Sequence, residues 1–249
     1  MADHSPATRI PLVDVLRGAA LAAMAAYHAS WDLEFFGLAA LGVTEHPLWI
    51  AFARSIAGSF LALVGVSLYL AHYAGVRWAG FLKRLAMIGV AAAAITLLSW
   101  FADPEGIIWF GILHCIGVSS LLGLPFLRAP LWLVIAAAIA CLAAPFVLTS
   151  PAFNGPGWLW LGLASDPMPS NDYNPLLPWF GPVLLGIAAA RLLMPYANTA
   201  AWARWQPQSL IARALALAGR HSLLVYLLHQ PLLMGALWLF VQAFGLSAQ

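Results

Sequence analysis

Charge is scarce in this sequence. Asp, Glu, Lys and Arg together make up 8% of its 249 residues, against 63% hydrophobic residues, and the mean hydropathy is +0.88. A soluble domain carries about 25% charged residues. Too little charge is present to cover a water-facing surface, so most side chains must meet lipid or one another. Net charge is only +2 and the basic residues are scattered, which leaves no patch for nucleic acid. Cysteine is equally sparse. Cys115 and Cys141 lie inside apolar runs and read as small buried residues, with neither a disulfide nor a metal site expected. The period-2 alternation of a membrane β-barrel is missing too. No internal repeat or second domain is evident, so 1–249 reads as one domain.

Long apolar runs are abundant. A spanning helix needs about 20 apolar residues, and seven stretches qualify: 10–28, 48–72, 84–101, 107–127, 131–149, 176–194 and 220–244. Alanine-rich runs such as Ala91 to Ala94 and Ala136 to Ala138 suit helices. The expected fold is therefore an all-α, polytopic transmembrane bundle of seven spans in contact with the lipid bilayer. Trp31, Trp49, Trp78, Trp100, Trp109, Trp132, Trp158 and Trp160 fall near run ends, as an interfacial aromatic belt requires. Asp14 and Arg17 interrupt the first run, which argues against a cleaved signal peptide.

Basic residues set orientation. Arg9, Arg77, Lys83, Arg84, Arg128, Arg191, Arg204, Arg213 and Arg220 all fall on one side of this map, and only Arg17 and Arg54 lie within spans. The opposite loops hold Asp32, Glu34, Glu45, Asp103, Glu105, Asp166 and Asp172 instead. This places the N-terminus inside and the C-terminus outside. An eighth span would put basic loops on both sides. Residues 150–175, rich in Gly, Pro and Asn, read as an outer interfacial loop and candidate lid. Residues 197–219 read as an inner amphipathic segment with Arg204 and Arg213 at the headgroups. Gly58 and Gly65 read as close helix packing, and His4, His46 and His72 as surface residues.

Ionisable groups inside a bilayer are costly and usually functional or paired. Asp14, Arg17, Leu21, Met24 and His28 follow spacings of three and four, so they share one face of the first helix. The alanines between leave room for another helix, or for a long thin ligand. Asp14 and Arg17 read equally well as a structural ion pair or as part of a binding site. His28 reads as a proton-accepting group, with Asp32 one turn beyond it able to orient the ring. Arg54 in the second span, His114 about seven residues into the fourth, and His229 in the seventh, followed by Pro231, lie at comparable depth. Their convergence on a polar cavity is an expectation.

Several motifs resemble one known family. Asp14-Val-Leu-Arg17-Gly18, His28 and Trp31-Asp32-Leu33 are similar to the first span of the heparan-α-glucosaminide N-acetyltransferase catalytic-domain family, bacterial branch. Phe110-Gly-Ile-Leu-His114, Pro178-Trp179-Phe180-Gly181 and Gly219-Arg220-His221-Ser222 with Tyr226-Leu-Leu-His229-Gln230-Pro231 resemble its later motifs in the same order. Arg-x10-His and the closing Tyr-Leu-Leu-His-x-Pro also resemble membrane acyltransferases that O-acetylate surface glycans. The likeness runs from about residue 9 to 235. The chain has fewer spans than the animal lysosomal enzymes and a shorter loop after the first.

The resemblance implies an acyltransferase of the bacterial inner membrane. It would use cytoplasmic acetyl-CoA as co-substrate, with no metal, and acylate a sugar or glycan amine or hydroxyl outside. His28 would be general base or acyl carrier, assisted by Asp32. Arg54, His114, His229, Trp179 and Asp172 would contact substrate or the oxyanion. Asp14, Arg17, Arg220, Ser222 and Tyr226 would bind the donor, its pantetheine arm along the Asp14-to-His28 face. A homodimer is compatible with a membrane protein of this size. The alternatives are a small proton-coupled carrier using the same His and Arg residues as a relay, and a purely structural membrane subunit.

Overall fold

The structure, a computed structural model, describes residues 10–197 and 199–245. His4 and Arg9 lie outside the described residues. The chain is helical almost throughout: α1 (Pro11–Phe35), α2 (Pro47–His72), α3 (Trp78–Ala102), α4 (Ile112–Gly123), α5 (Leu131–Val147), α6 (Leu176–Leu193), α7 (Ala201–Arg204), α8 (Leu210–Arg220) and α9 (Ser222–Phe244). Among the described residues the β component is a single isolated bridge, Ser150 to Ala164.

Four helical stretches are long and apolar enough to cross a membrane: Pro47–His72, Trp78–Ala102, Leu176–Tyr196 and Ser222–Phe244. This is fewer than the seven expected, for two physical reasons. Helix α1 has 25 residues, but Asp14, Arg17, His28 and Asp32 dilute its hydropathy. Helices α4 and α5 are apolar but have 12 and 17 residues, about 18 and 26 Å at the standard rise. The fourth stretch, expected over 107–127, starts late because 107–111 is not helical. There Ile108 N–H donates to Ser99 Oγ at 3.0 Å and the Ile108 carbonyl accepts from Thr96 Oγ1 at 2.7 Å. Leu82, Val90, Leu97, Leu98 and Phe101 of α3 are exposed. So large an apolar surface belongs against lipid rather than water, and the molecule is an integral membrane protein.

The chain forms two compact units. The first spans Leu61–Tyr196. Its core is built on Leu61, Val134, Ala138, Val183, Leu184 and Ile187, all fully buried. Helices α2 and α6 cross backbone to backbone. A Cβ on Gly65 would lie 1.9 Å from the Val183 carbonyl oxygen, and one on Gly186 would lie 2.0 Å from that of Ala62. The close packing expected of Gly65 is therefore present. Cys115 is buried within this core, and both cysteines are free.

His72 is a correction: it is buried rather than at the surface, with its ring 5.6 Å from that of Phe81 and Nδ1 accepting from Arg77 N–H at 3.3 Å. His46 is exposed, as expected.

The loop at 150–175 is tied down rather than free. Asn154 Oδ1 accepts from the Ser165 and Asp166 N–H groups at 2.9 and 3.1 Å. Asn171 N–H donates to the Gly106 carbonyl at 3.1 Å, and Asn171 Nδ2 to Asp103 Oδ2 at 2.7 Å. Asn174 N–H donates to the Phe110 carbonyl at 3.0 Å. This loop is a fixed buttress for 103–111.

The second unit comprises the described residues of 10–60 and 197–245. Pro11 opens α1 at a position where its missing N–H costs nothing. Gly37, at φ 69°, ends it in the left-handed region that suits glycine. The Glu34 carboxylate then accepts the N–H groups of Gly42 and Val43, each at 2.8 Å, and so folds the following loop back. Helix α8 begins at a Ser209 cap and turns Ala212, Leu215, Ala216 and Gly219 toward α1. Small residues let the backbones touch. A Cβ on Gly18 would lie 2.0 Å from the Leu215 carbonyl oxygen. The amphipathic segment is present as expected, but it is docked on α1. Helix, not ligand, fills the inner part of the Asp14-to-His28 face.

Candidate functional site

At the α1–α8 junction, Asp14 is 5% exposed and sits between two guanidinium groups. Arg17 Nη1 lies 3.3 Å from Asp14 Oδ1, and Arg220 Nε lies 3.6 Å from Asp14 Oδ2. Arg17 Nη1 also donates to the Gly219 carbonyl at 3.1 Å. A cation there complements the negative end of α8. The paired reading of Asp14 and Arg17 is what the geometry displays. The Arg220 side chain remains 45% exposed. Ser222 is the first residue of α9.

Further along α1, two histidines meet. The His28 ring lies edge-on to His229, centroids 5.0 Å apart, while the adjacent Tyr27 packs on Trp49 and Phe52 at 6.1 and 6.4 Å. His229 Nδ1 is 2.6 Å from the Tyr226 carbonyl oxygen. A carbonyl can only accept, so Nδ1 carries the proton and neutral His229 presents a bare Nε2. Helix α9 runs through Pro231 without a break. His28 has no hydrogen-bond partner among the described residues, so both of its nitrogens are open to chemistry.

Asp32 does not orient His28. It is 0% exposed, and its Oδ1 accepts from Gln230 Nε2 at 2.6 Å. Gln230 stands in the motif beside His229, yet sequence reasoning passed over it because an uncharged amide draws no attention. Three buried polar atoms here lack a partner: Asp32 Oδ2, His229 Nε2 and Gln230 Oε1. Arg54 is exposed in the same unit, with no partner among the described residues.

His114, Asp172 and Trp179 belong to the other unit. His114 is the third residue of α4 rather than the seventh of a span. The Thr96 hydroxyl donates to the Ile108 carbonyl at 2.7 Å, so His114 Nε2–H must donate to Thr96 Oγ1 at 3.4 Å. His114 Nδ1 then accepts Gly111 N–H at 3.3 Å. Both ring nitrogens are thereby engaged. Asp172 Oδ2 accepts Ile112 N–H at 3.0 Å and so caps the same helix start. Its Oδ1 holds Asn174 Nδ2. Trp179 packs half-buried against that unit's core.

Helices of membrane-crossing length, together with an enclosed carboxylate and a histidine pair on α1 and α9, define an integral membrane protein with a polar site inside its helical body. Its sequence pattern is more specific. The catalytic family of heparan-alpha-glucosaminide N-acetyltransferase matches residues 9–231, and the chain belongs to that family. Membership implies a membrane acetyltransferase. No curated protein and no solved structure gives a significant match.

Proposed function

We propose that the protein transfers an acetyl group from acetyl-CoA to a sugar or glycan amine or hydroxyl, with His28 as general base. The observation that carries this reading is the His28–His229 pair at 5.0 Å, beside an enclosed Asp32, in a chain of an acetyltransferase family. The acceptor nitrogen or oxygen attacks the thioester carbonyl as a His28 ring nitrogen takes its proton. The new C–N or C–O bond forms, the tetrahedral oxyanion collapses, and the C–S bond breaks. The proton on His28 then passes to the departing CoA thiolate, which leaves as the thiol and restores neutral histidine. Arg54 would serve the oxyanion or the substrate.

Donor phosphates would engage Arg220 and Arg17, since guanidinium groups bind them bidentately. In this reading the seven spans are the apolar stretches at 10–28, 48–72, 84–101, 107–127, 131–149, 176–194 and 220–244, carried by α1 to α6 and α9. The N-terminus is inside and α8 lies along the inner side, as the basic residues Arg204, Arg213 and Arg220 favour. The membrane would be a bacterial inner membrane, with donor and acceptor on opposite sides. Family membership favours group transfer over a proton-coupled carrier.

The test uses purified protein in detergent. Acetyl-CoA should raise its melting temperature, and the wild type should convert [14C]acetyl-CoA and a sugar acceptor to acetylated product and free thiol. His28→Ala should keep the acetyl-CoA stabilisation and lose turnover by about 10²–10⁴, the usual worth of a general base. Wild-type turnover in His28→Ala would refute the assignment.

A further inference from the structure

Asp32 is an enclosed carboxylate that forms no ion pair among the described residues. A buried polar atom left unpartnered costs about 1–3 kcal/mol, more when charged. Native structures rarely keep such atoms without a use. Here three occur on neighbouring side chains of α1 and α9: Asp32 Oδ2, Gln230 Oε1 and His229 Nε2. Their chemistry is uniform. The two oxygens are acceptors, and Nε2 is an acceptor because the proton sits on Nδ1 against the Tyr226 carbonyl. The cluster therefore calls for a group that donates, and one that is cationic suits an unpaired carboxylate. An alkylammonium has three N–H donors, whereas a hydroxyl has one.

Resting on the acyltransferase reading above, we propose that Asp32, held by Gln230, is the residue that seats an amine acceptor, and that Gln230 is its positioning residue. The Gln230 amide at 2.6 Å fixes Oδ1, so the carboxylate is prevented from turning and Oδ2 is left for the incoming amine. Charge-assisted hydrogen bonds of this kind are strong and directional. The amine arrives as the ammonium. It rests on Asp32 and releases one proton to water to become the free nucleophile; His28 takes the second N–H proton as the C–N bond forms and hands it to the departing thiolate. Discrimination between amine and hydroxyl acceptors then lies in Asp32, while the proton transfer lies in His28.

The test uses the full chain in detergent, with [14C]acetyl-CoA as donor and D-glucosamine as acceptor probe. Asp32→Asn and Gln230→Ala should each raise the KM for glucosamine by about tenfold or more, the worth of a hydrogen bond to a charged group. In both, the KM for acetyl-CoA should stay near wild type. Asp32→Asn should also narrow the preference for glucosamine over glucose. A readout on the wild-type protein guards against misfolded variants. Dicyclohexylcarbodiimide, which modifies carboxyls in apolar surroundings, should label Asp32, and glucosamine but not glucose should slow the labelling. An unchanged glucosamine KM in Asp32→Asn, or labelling indifferent to glucosamine, overturns this proposal while leaving acetyl transfer intact. A wild type that acetylates no sugar at all overturns the underlying reading, and this one with it.

Discussion

Gly219 and Asp14 meet backbone to backbone: a Cβ on Gly219 would lie 1.8 Å from the Asp14 carbonyl oxygen. Gly219→Ala must therefore push α8 off α1 and stretch the Arg17 bond to the Gly219 carbonyl. We expect a loss of about 1–3 kcal/mol, the usual cost of overpacking, measured as a lower melting temperature in detergent. Gly80→Ala is the control, because nothing lies within 4 Å of that position. Equal melting of both variants would show that the α1–α8 contact bears no load.

The N-terminus of α4 depends on a side chain 60 residues away in sequence. Asp172→Ala removes the acceptor of Ile112 N–H and should cost about 0.5–2 kcal/mol, as lost caps do. Asp172→Asn keeps a side-chain oxygen and should cost less. Thermal melts of the two variants in parallel check the order. Equal losses in the two variants would mean that the carboxylate's charge, not its cap, matters there.

Glu34 lies past the apolar stretch of α1. The Val43 N–H, then the Gly42 N–H, hold its carboxyl below the ordinary carboxylate range. A group whose folded pKa is depressed contributes stability above its unfolded pKa, and loses it as pH falls through the folded value. The 36–46 loop should therefore loosen on acidification below the ordinary glutamate range and stay closed at neutral pH. Hydrogen exchange at Gly42 and Val43 reads this directly. Glu34→Gln should show lower protection at neutral pH, with protection factors that vary little with pH, whereas a wild-type-like profile in that variant would refute the clasp.

How much was legible in the sequence depends on how local each signal is. His28 and His229 stood out because ionisable groups are rare in apolar helices, and the structure brings both to one place. Asp32 was read from its place one turn beyond His28, and that spacing gave it the wrong partner. Spacing along one helix pointed to His28, while the bond that forms reaches Gln230, 198 residues on. Gln230 and Gly18 stand in the family-like motifs without a role of their own, since an amide or a glycine acquires meaning only once α9 or α8 lies against it. Helix α8 was legible as amphipathic, yet its apolar face of Ala212, Leu215, Ala216 and Gly219 does not say by itself whether lipid or another helix covers it. Span counts suffered from the same locality. Composition marks 107–111 as continuous with the apolar run of α4, while the ties of Ile108 to Ser99 and Thr96 and of Phe110 to Asn174 hold it out of the helix.

Helix α9 carries His229 and Gln230, yet Val241 is its one buried residue. Leu224, Leu228, Leu232, Trp238, Leu239 and Phe240 face outward. In the proposed reading lipid lies at its back as a wall of the site, so chain length and lateral pressure should affect how firmly α9 leans on α1. Activity in short-chain detergent and in a bilayer of matched thickness should differ for that reason alone.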